Sequence, residues 1–240
     1  ADIMCAIMLM GAWIIYARQF SWKKSPTISA ISGQDLIMLP LSLFIITMSG
    51  FTKETGFTGY SFPALHEIFR MIRRKKIETM PAIRLGLILF IGFSCCIARV
   101  RYTNGTAIAR MDPMSNPIAA SSSFFERTFT LMFIHGYYAK VMMWPFYLCY
   151  DYSMDAIPLI DTLSDYRLLL PLMWYTLCAT WIYLAIKGIM NGSVIAYGAL
   201  LGFAQYFLSF LPAAGVLFVV GTMVGERLLY MPTLGAVCAG

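Results

Sequence analysis

The chain has few charged residues and lacks the motifs that soluble enzymes use for catalysis. Only 12% of its 240 residues are Asp, Glu, Lys or Arg, whereas a soluble domain carries about 25%. It has two histidines, far apart, and no glycine-rich phosphate loop, zinc-ligand spacing or nucleophile elbow. Most of its six cysteines lie in apolar runs, which is typical of small core residues. These absences argue against a soluble metalloenzyme, a P-loop enzyme and a hydrolase with a histidine-based triad.

Apolar residues make up most of the chain. They account for 59% of the sequence, and the mean hydropathy is +0.70. This composition predicts an all-α integral membrane protein that crosses the bilayer several times. The net charge of +6 reflects two short basic clusters, at residues 23–24 and 73–76, rather than a basic, aromatic-lined groove. We therefore expect no nucleic-acid partner.

The apolar runs predict several membrane spans within one membrane domain. At 1.5 Å per residue, a run of 18 residues reaches about 27 Å, which is enough to cross the hydrocarbon core. The predicted spans are residues 3–17, 36–51, 57–72, 81–98, 168–186, 194–211 and 228–240. Because the chain begins and ends inside apolar runs, we expect it to be a fragment of a longer membrane domain.

The two basic clusters orient these spans. Cytoplasmic loops are enriched in Lys and Arg, so residues 23–24 and 73–76 are both expected on the cytoplasmic side. The hairpin between the clusters then places residues 53–54 on the far side of the membrane. Counting the later spans places residues 226–227 on that same side.

Residues 99–167 form a long polar and aromatic region between two predicted spans. Within residues 124–150 the best apolar piece is 141–149, which is too short to cross a bilayer. We therefore predict a lumenal region with an interfacial or re-entrant segment. The sequon at Asn104 would then be glycosylated, and the sequon at Asn191, on the cytoplasmic side, would stay bare.

Two adjacent acid–base pairs are the most informative polar features. Glu226 and Arg227 lie between apolar runs, and an ionised side chain at a bilayer centre costs about 2.5–3.5 kcal/mol. This pair therefore lies at a membrane boundary, lines a watery cavity or is neutralised by a partner. It either binds an anionic ligand or forms an interfacial salt bridge. Lys53 and Glu54, at a predicted hairpin tip, have the same two interpretations: a phosphate contact or a loop salt bridge.

Four other polar side chains have structural interpretations. We expect Glu67 and His66, which lie in a weakly apolar run, to make an interhelical hydrogen bond. Arg84, near the end of its span, is placed to snorkel toward the interface. We expect His135 to be a hydrogen-bonded structural residue.

The lumenal region also contains candidates for contacts with a sugar or an acceptor. Asp151 and Asp155 are suited to positioning a hydroxyl group, although most loop acids are simply solvated. Trp144 belongs to an aromatic-rich belt, which is typical of a membrane interface and equally suited to stacking on a sugar. No metal site is predicted, and the metal requirement stays open.

Four stretches together form a longer pattern. Residues 52–56 are T-K-E-T-G, and N-P at 116–117 is followed by R-T-F-T at 127–130. Residues 144–159 are W-P-F-Y-L-C-Y-D-Y-S-M-D-A-I-P-L, and residues 225–235 are G-E-R-L-L-Y-M-P-T-L-G. In order and spacing they resemble the transmembrane and tetratricopeptide-repeat (TMTC) family of endoplasmic-reticulum O-mannosyltransferases. The two long stretches are the most specific.

The resemblance covers roughly residues 45–240 and has identifiable departures. The family patterns are A-K-E-Q-G, N-P…R-x-L-T-F, P-x-x-L-C-x-D-W-S-M-G-x-I-P-L and A-E-R-V-L-Y-x-P-S-x-G. This chain has Thr55 where the family has Gln, Tyr152 where it has Trp, and Asp155 where it has Gly. The chain contains no repeat of about 34 residues, so the tetratricopeptide repeats are expected downstream of it.

The resemblance implies a glycosyltransferase with a GT-C-like helix bundle in the endoplasmic reticulum membrane. Such enzymes transfer mannose from dolichyl phosphate mannose to Ser or Thr of lumenal proteins, including cadherin-like domains. Cations at the lumenal face offset the charge of the leaving phosphate. We expect Lys53 and Arg227, with Glu54 and Glu226 beside them, to form this donor phosphate site.

The catalytic base is expected elsewhere. In this family an acidic motif in the first lumenal loop is expected to take the proton of the acceptor hydroxyl. That loop would lie upstream of residue 1, so the catalytic residues stay unassigned. We expect no covalently bound cofactor, while membrane lipids and other membrane subunits are candidate partners.

Two alternatives to the enzyme stay open. A chain that lacks the acidic loop would be an inactive relative, retained as a structural subunit of a larger membrane complex. A transporter or channel is disfavoured, because the clear spans contain few charges and no pair of broken helices in matching halves.

Overall fold

The computed structural model describes residues 1–20, 33–102, 114–146, 148–149, 152, 156–216 and 220–239. All regular secondary structure among these residues is helical, which confirms the all-α prediction. The α-helices are α1 (Asp2–Gln19), α2 (Gly33–Thr52), α3 (Ser61–Arg74), α4 (Thr79–Tyr102), α5 (Pro117–Ala120), α6 (Phe124–Met143), α7 (Leu169–Met190), α8 (Val194–Phe210) and α9 (Tyr230–Ala239). Short 3-10 helices directly precede α3, α7 and α9, at Glu54–Tyr60, Tyr166–Leu168 and Glu226–Leu229.

Two helices in the described part of the chain are long and apolar enough to cross a membrane. They are Thr79–Tyr102 and Tyr166–Met190, which coincide with two of the predicted spans. Two shorter apolar helices, Ile37–Thr52 and Val194–Phe210, coincide with two further predicted spans. The other spans, and the number of crossings, stay predictions.

The interval 57–72, predicted as one weakly apolar span, is divided in the structure. The 3-10 helix Glu54–Tyr60 covers its beginning, and the 14 residues of α3 follow. Pro63 lies in the first turn of α3, where a residue without an N–H group is tolerated. Because α3 is only about 21 Å long, it is shorter than the hydrocarbon core.

The polar face of α3 is buried and its apolar face is exposed. His66, Glu67 and Arg70 are 5%, 0% and 8% exposed, whereas Ile68 and Ile72 are 37% and 53% exposed. A helix in water has the opposite arrangement, with its apolar stripe toward the core. Within a bilayer, ionisable residues face the bundle interior and apolar side chains face lipid. The orientation of α3 is therefore the one expected next to a membrane.

A buried carboxylate joins α1, α3 and α4. Glu67 Oε1 accepts a hydrogen bond from the Tyr16 hydroxyl at 2.6 Å. Arg84 donates to both carboxylate oxygens, at 3.2 Å from Nε and 2.9 Å from Nη2. The predicted interhelical hydrogen bond of Glu67 is therefore confirmed, but Arg84 turns inward instead of snorkelling. A buried charge requires such a partner, because leaving it unpaired is costly.

A helix occupies most of the segment 124–150, which was predicted to be interfacial or re-entrant. Residues 124–143 form α6, whose start is capped by the Ser123 hydroxyl accepting from the Glu126 amide. The helix ends just before Pro145, as expected upstream of a proline. Charged residues interrupt the apolar sequence of α6, so its length as a helix was not evident from the apolar pattern.

The second half of α6 runs beside the first half of α7 in the same direction. A side chain at Gly136 would collide with the backbone of Pro171, so glycine is required for this close approach. Further along, Met142 of α6 and Leu177 of α7 face the same cavity. The end of α6 therefore lies near the middle of α7 rather than near its start. The re-entrant segment expected in this region stays a prediction.

Replacing Glu67 with alanine is expected to destabilise the protein by about 3–5 kcal/mol, because the buried Arg84 loses its counter-charge. Thermal unfolding of the purified protein in detergent would show this as a lower midpoint. Glu54→Ala is the matched control, since the Glu54 side chain is 61% exposed and an exposed ion pair contributes about 0–1 kcal/mol. Equal midpoints for the two variants would contradict the role assigned to Glu67.

Candidate functional site

Lys53 and Glu54 lie where α2 ends and the first 3-10 helix begins. Lys53 Nζ is 3.4 Å from Glu54 Oε1, and the two side chains are 25% and 61% exposed. The turn is held against α2, because any side chain at Gly56 would collide with Ser49. The position of the pair is therefore well defined. Since an exposed ion pair is weak, an anion can compete with Glu54 for the lysine.

Glu226 connects two segments that are far apart in the sequence. Its Oε1 accepts hydrogen bonds from the Cys149 amide at 2.9 Å and from the Tyr152 hydroxyl at 2.8 Å. The Tyr137 hydroxyl of α6 donates to the Tyr152 oxygen at 3.2 Å. The two long motif stretches that the sequence analysis identified are therefore in direct contact.

The backbone next to Glu226 is anchored to α6 as well. The Gly225 amide donates to the buried Tyr138 hydroxyl at 2.8 Å. Leu229, at the end of the same 3-10 helix, packs into the apolar cluster that contains Tyr138. Arg227, in contrast, is exposed and makes no hydrogen bond or ion pair with another described residue. Its guanidinium group is the accessible cation of this turn.

The Tyr152 hydroxyl keeps its proton and acts as a donor. Burial raises the pKa of the Tyr152 phenol above its ordinary value, and its hydrogen bonds with Tyr137 and Glu226 raise it further. An ordinary tyrosine is already protonated at neutral pH. The Tyr152 phenol therefore remains a hydrogen-bond donor throughout the physiological pH range.

No contact joins Lys53 to Arg227 in the part of the chain that the structure describes. The elements that follow them do share a core. Met231, one turn after Arg227, is buried in the same apolar cluster as Tyr60, the last residue of the 3-10 helix that follows Lys53. The convergence of the two cations on one ligand stays a prediction.

Trp144 lies on the surface, directly after α6. It is 65% exposed and stacks on Phe146, with the ring centroids 5.5 Å apart. This aromatic pair suits either a membrane interface or a sugar. Asp151, Asp155 and the sequon residue Asn104 lie outside the described residues.

His135 has the structural role that was predicted. Its Nδ1 is 2.7 Å from the Tyr175 hydroxyl, and its Nε2 is 2.7 Å from the Ala214 carbonyl oxygen. Because a carbonyl only accepts, Nε2 carries the proton and Nδ1 accepts from Tyr175. The ring thus joins α6 to α7 and to the segment after α8. Among the described residues, no three His, Cys, Asp or Glu side chains are grouped to hold a metal ion.

A cavity of about 220 Å³ lies between α6, α7, α8 and α9. Its walls are aromatic and aliphatic: Trp181 stacks on Phe203 with the ring centroids 4.6 Å apart, and Trp174 meets Tyr206 edge-on at 5.9 Å. Ala236 of α9 completes the wall. The cavity adjoins α7, one of the two described helices that are long and apolar enough to cross a membrane.

Three tyrosines of this site were missed by the sequence analysis. Tyr137, Tyr138 and Tyr152 hold the turn at residues 225–229, yet the sequence indicated only an aromatic-rich belt. A tyrosine whose ring is buried needs a partner for its hydroxyl. That rule signals a polar contact but does not identify the partner.

Among the described residues, the structure defines a helical protein with two helices long and apolar enough to cross a membrane, in which a half-buried carboxylate joins two segments beside an exposed arginine. The family model described as "Protein O-mannosyl-transferase TMTC, DUF1736" matches residues 105–179. The chain is a relative of the TMTC family, as its four motif stretches indicated.

Curated relatives extend the similarity over most of the chain. Protein O-mannosyl-transferase TMTC4 of Homo sapiens is 27% identical over 257 residues, which cover 98% of this chain and 34% of that protein. Protein O-mannosyl-transferase F38B6.6 of Caenorhabditis elegans is 31% identical over 150 residues, which cover 61% of this chain and 21% of that protein. Protein O-mannosyl-transferase TMTC2 of Mus musculus is 24% identical over 245 residues, which cover 76% of this chain and 29% of that protein. The chain thus spans about a third or less of the length of these relatives. No solved structure matches it.

Proposed function

We propose that this chain is the donor-binding part of a membrane protein O-mannosyltransferase. The donor is dolichyl phosphate mannose, and the acceptors are Ser or Thr residues of lumenal proteins such as cadherin-like domains. The site faces the lumen of the endoplasmic reticulum. A catalytic base from outside the described residues accepts the proton of the acceptor hydroxyl.

The contact between the two long motif stretches carries this proposal. Glu226 binds the Cys149 amide and the Tyr152 hydroxyl, so both stretches belong to one site. Arg227, the next residue, is exposed beside that contact. Relatives that align with most of this chain are named protein O-mannosyl-transferases, which favours a transferase over an inactive structural subunit.

The chemistry of transfer requires a cation at this place. As the bond from mannose to phosphate breaks, negative charge develops on the leaving phosphate. A guanidinium group offers two parallel donors to phosphate oxygens and keeps its charge at all physiological pH values. Arg227 supplies this contact, and Lys53 supplies a second cation once a donor is bound. Trp144 is placed to stack on a sugar ring.

The cavity between α6 and α9 accommodates part of the donor's apolar tail. Its volume of about 220 Å³ exceeds the ~150 Å³ of an engineered cavity that binds benzene. Ala236, on its wall, lies roughly 15 Å along the helix axis from Arg227. A lipid whose phosphate is bound to Arg227 therefore reaches the cavity with its first isoprene units.

Arg227→Ala and Lys53→Ala are each expected to reduce mannosyl transfer by the full-length protein. A hydrogen bond to a charged group contributes about 1.5–3 kcal/mol, which corresponds to a loss of roughly 10- to 100-fold in rate. The measurement is transfer of labelled mannose from dolichyl phosphate mannose to a lumenal acceptor domain.

Lys187→Ala is the matched control for this experiment. Lys187 is an exposed cation near the end of α7, predicted on the opposite side of the membrane. Its variant should transfer mannose at the wild-type rate. Wild-type rates in both the Arg227 and the Lys53 variants would contradict the phosphate site. A full-length wild-type protein without transfer would favour the structural subunit.

Filling the cavity is expected to discriminate between donors by tail length. Leu177→Trp should raise KM several-fold for dolichyl phosphate mannose and leave KM unchanged for a donor with a single isoprene unit, because a tail that short does not reach from Arg227 to the cavity. Leu184→Trp is the control: Leu184 lies on the same helix, is 57% exposed and does not line the cavity. An equal effect of Leu177→Trp on both donors would exclude the tail from this cavity.

A further inference from the structure

We propose that Glu226 is a positioning residue that holds Cys149 and Tyr152 against the turn that presents Arg227. This inference rests on the proposed function for its role in transfer. The sequence analysis expected Glu226 within the donor phosphate site. The structure assigns its carboxylate to an internal contact instead.

The Glu226 carboxylate accepts its hydrogen bonds from within the protein. Oε1 of Glu226 accepts from a backbone amide, at Cys149, and from a side-chain hydroxyl, at Tyr152. Neither Cys149 nor Tyr152 lies in a helix, so helical hydrogen bonds do not hold them in place. Glu226 therefore supplies polar contacts that fix both residues to the turn.

The turn that begins at Gly225 is also held in place by α6. Gly225 is bonded to Tyr138, and Tyr152 is bonded to Tyr137, the preceding residue of α6. The turn and Tyr152 are thus anchored to adjacent residues of one helix. Tyr138 is 1% exposed and Tyr152 is 7% exposed, so both anchors lie away from water. Water competes poorly for hydrogen bonds that are buried in this way.

The Arg227 side chain points in a different direction from that of Glu226. Glu226 and Arg227 begin a 3-10 helix, Glu226–Leu229, in which consecutive side chains project about 120° apart. Because Glu226 points inward to Tyr152, Arg227 points away from it. Glu226 is half-buried and Arg227 is exposed, as this geometry requires. The inward glutamate thus sets the outward direction of the arginine.

We do not expect Glu226 to bind the donor phosphate directly. A carboxylate repels an anionic phosphate, and two hydrogen bonds already occupy the Glu226 oxygen that faces the protein. A positioning role requires only an oxygen that accepts hydrogen bonds, and an amide oxygen meets this requirement. A base, in contrast, requires a carboxylate.

This difference makes Glu226→Gln and Glu226→Ala the decisive pair in the full-length protein. Glu226→Gln retains an acceptor oxygen, so we expect transfer within a few-fold of wild type. Glu226→Ala removes the acceptor, so we expect at least about a tenfold loss in kcat/KM. Most of that loss should appear in KM for dolichyl phosphate mannose, because donor binding is what the turn positions. Tyr152→Phe removes one of the two donors and should cause a smaller loss of the same kind.

Amide hydrogen exchange of the same proteins gives a readout that does not depend on activity. The peptide that contains Cys149 should exchange faster in Glu226→Ala than in wild type, and Glu226→Gln should lie close to wild type. Tyr183→Phe is the control for both measurements, since it removes an exposed tyrosine hydroxyl of α7 far from this turn in sequence.

Each outcome has a defined meaning. Glu226→Gln as damaging to transfer as Glu226→Ala, with unchanged exchange in both, would overturn the positioning role and indicate direct chemistry at Glu226. Unchanged exchange in Glu226→Ala would overturn the contact itself. If the wild-type protein transfers no mannose while exchange follows the expected order, the proposed function fails and the structural tether stands.

Discussion

A carboxylate removed from water must have its charge balanced by hydrogen-bond donors from the protein, and both halves of this chain are organised around one such group. Glu67 draws Tyr16 of α1 and Arg84 of α4 onto α3. Glu226 draws Cys149 and Tyr152 onto the turn before α9. In each case the donors come from segments far apart in the sequence. Satisfying the carboxylate therefore also sets how those segments pack.

The surroundings of the two carboxylates explain their different uses. Glu67 is fully buried and its bonds to Arg84 pair two full charges, which suits a permanent joint between helices. Glu226 is half-buried and is balanced by an amide and a phenol, which carry no charge. Its neighbour Arg227 keeps its guanidinium exposed. The first arrangement stabilises the bundle, and the second leaves a cation at the surface where a phosphate can bind.

The sequence predicted where the helices lie and which helix faces carry polar residues. It predicted less well which residues bond to each other. Apolar runs located α4 and α7, because a long run without charge has few alternatives to a membrane-length helix. The same pattern indicated only an interfacial or re-entrant segment at residues 124–150, where charged residues interrupt the apolar sequence of α6. It also treated residues 57–72 as one span although Pro63 lies in a first helical turn. Glu67 was correctly expected to bond across helices, but periodicity gives the face of a helix and not the residue opposite. Arg84 was therefore assigned to the interface.

In the candidate site, too, the sequence indicated the important residues but not their bonding partners. The motif stretches identified Glu226 and Arg227 as important, yet adjacent residues of opposite charge suggest a shared ligand or a salt bridge. The structure has a third arrangement, in which Glu226 faces inward and Arg227 outward. The partners of Glu226 lie 77 and 74 residues away in the sequence, and no local pattern connects them. Contacts of that range depend on how α6 packs, which the sequence did not predict.

An electron cryomicroscopy map of the full-length protein in lipid nanodiscs, with dolichyl phosphate bound, tests the central claim most directly. We expect phosphate density within hydrogen-bond reach of the Arg227 guanidinium, with Glu226 still bonded to Tyr152. Phosphate density at a place that excludes Arg227, or a Glu226 side chain released from Tyr152 toward the ligand, would contradict it.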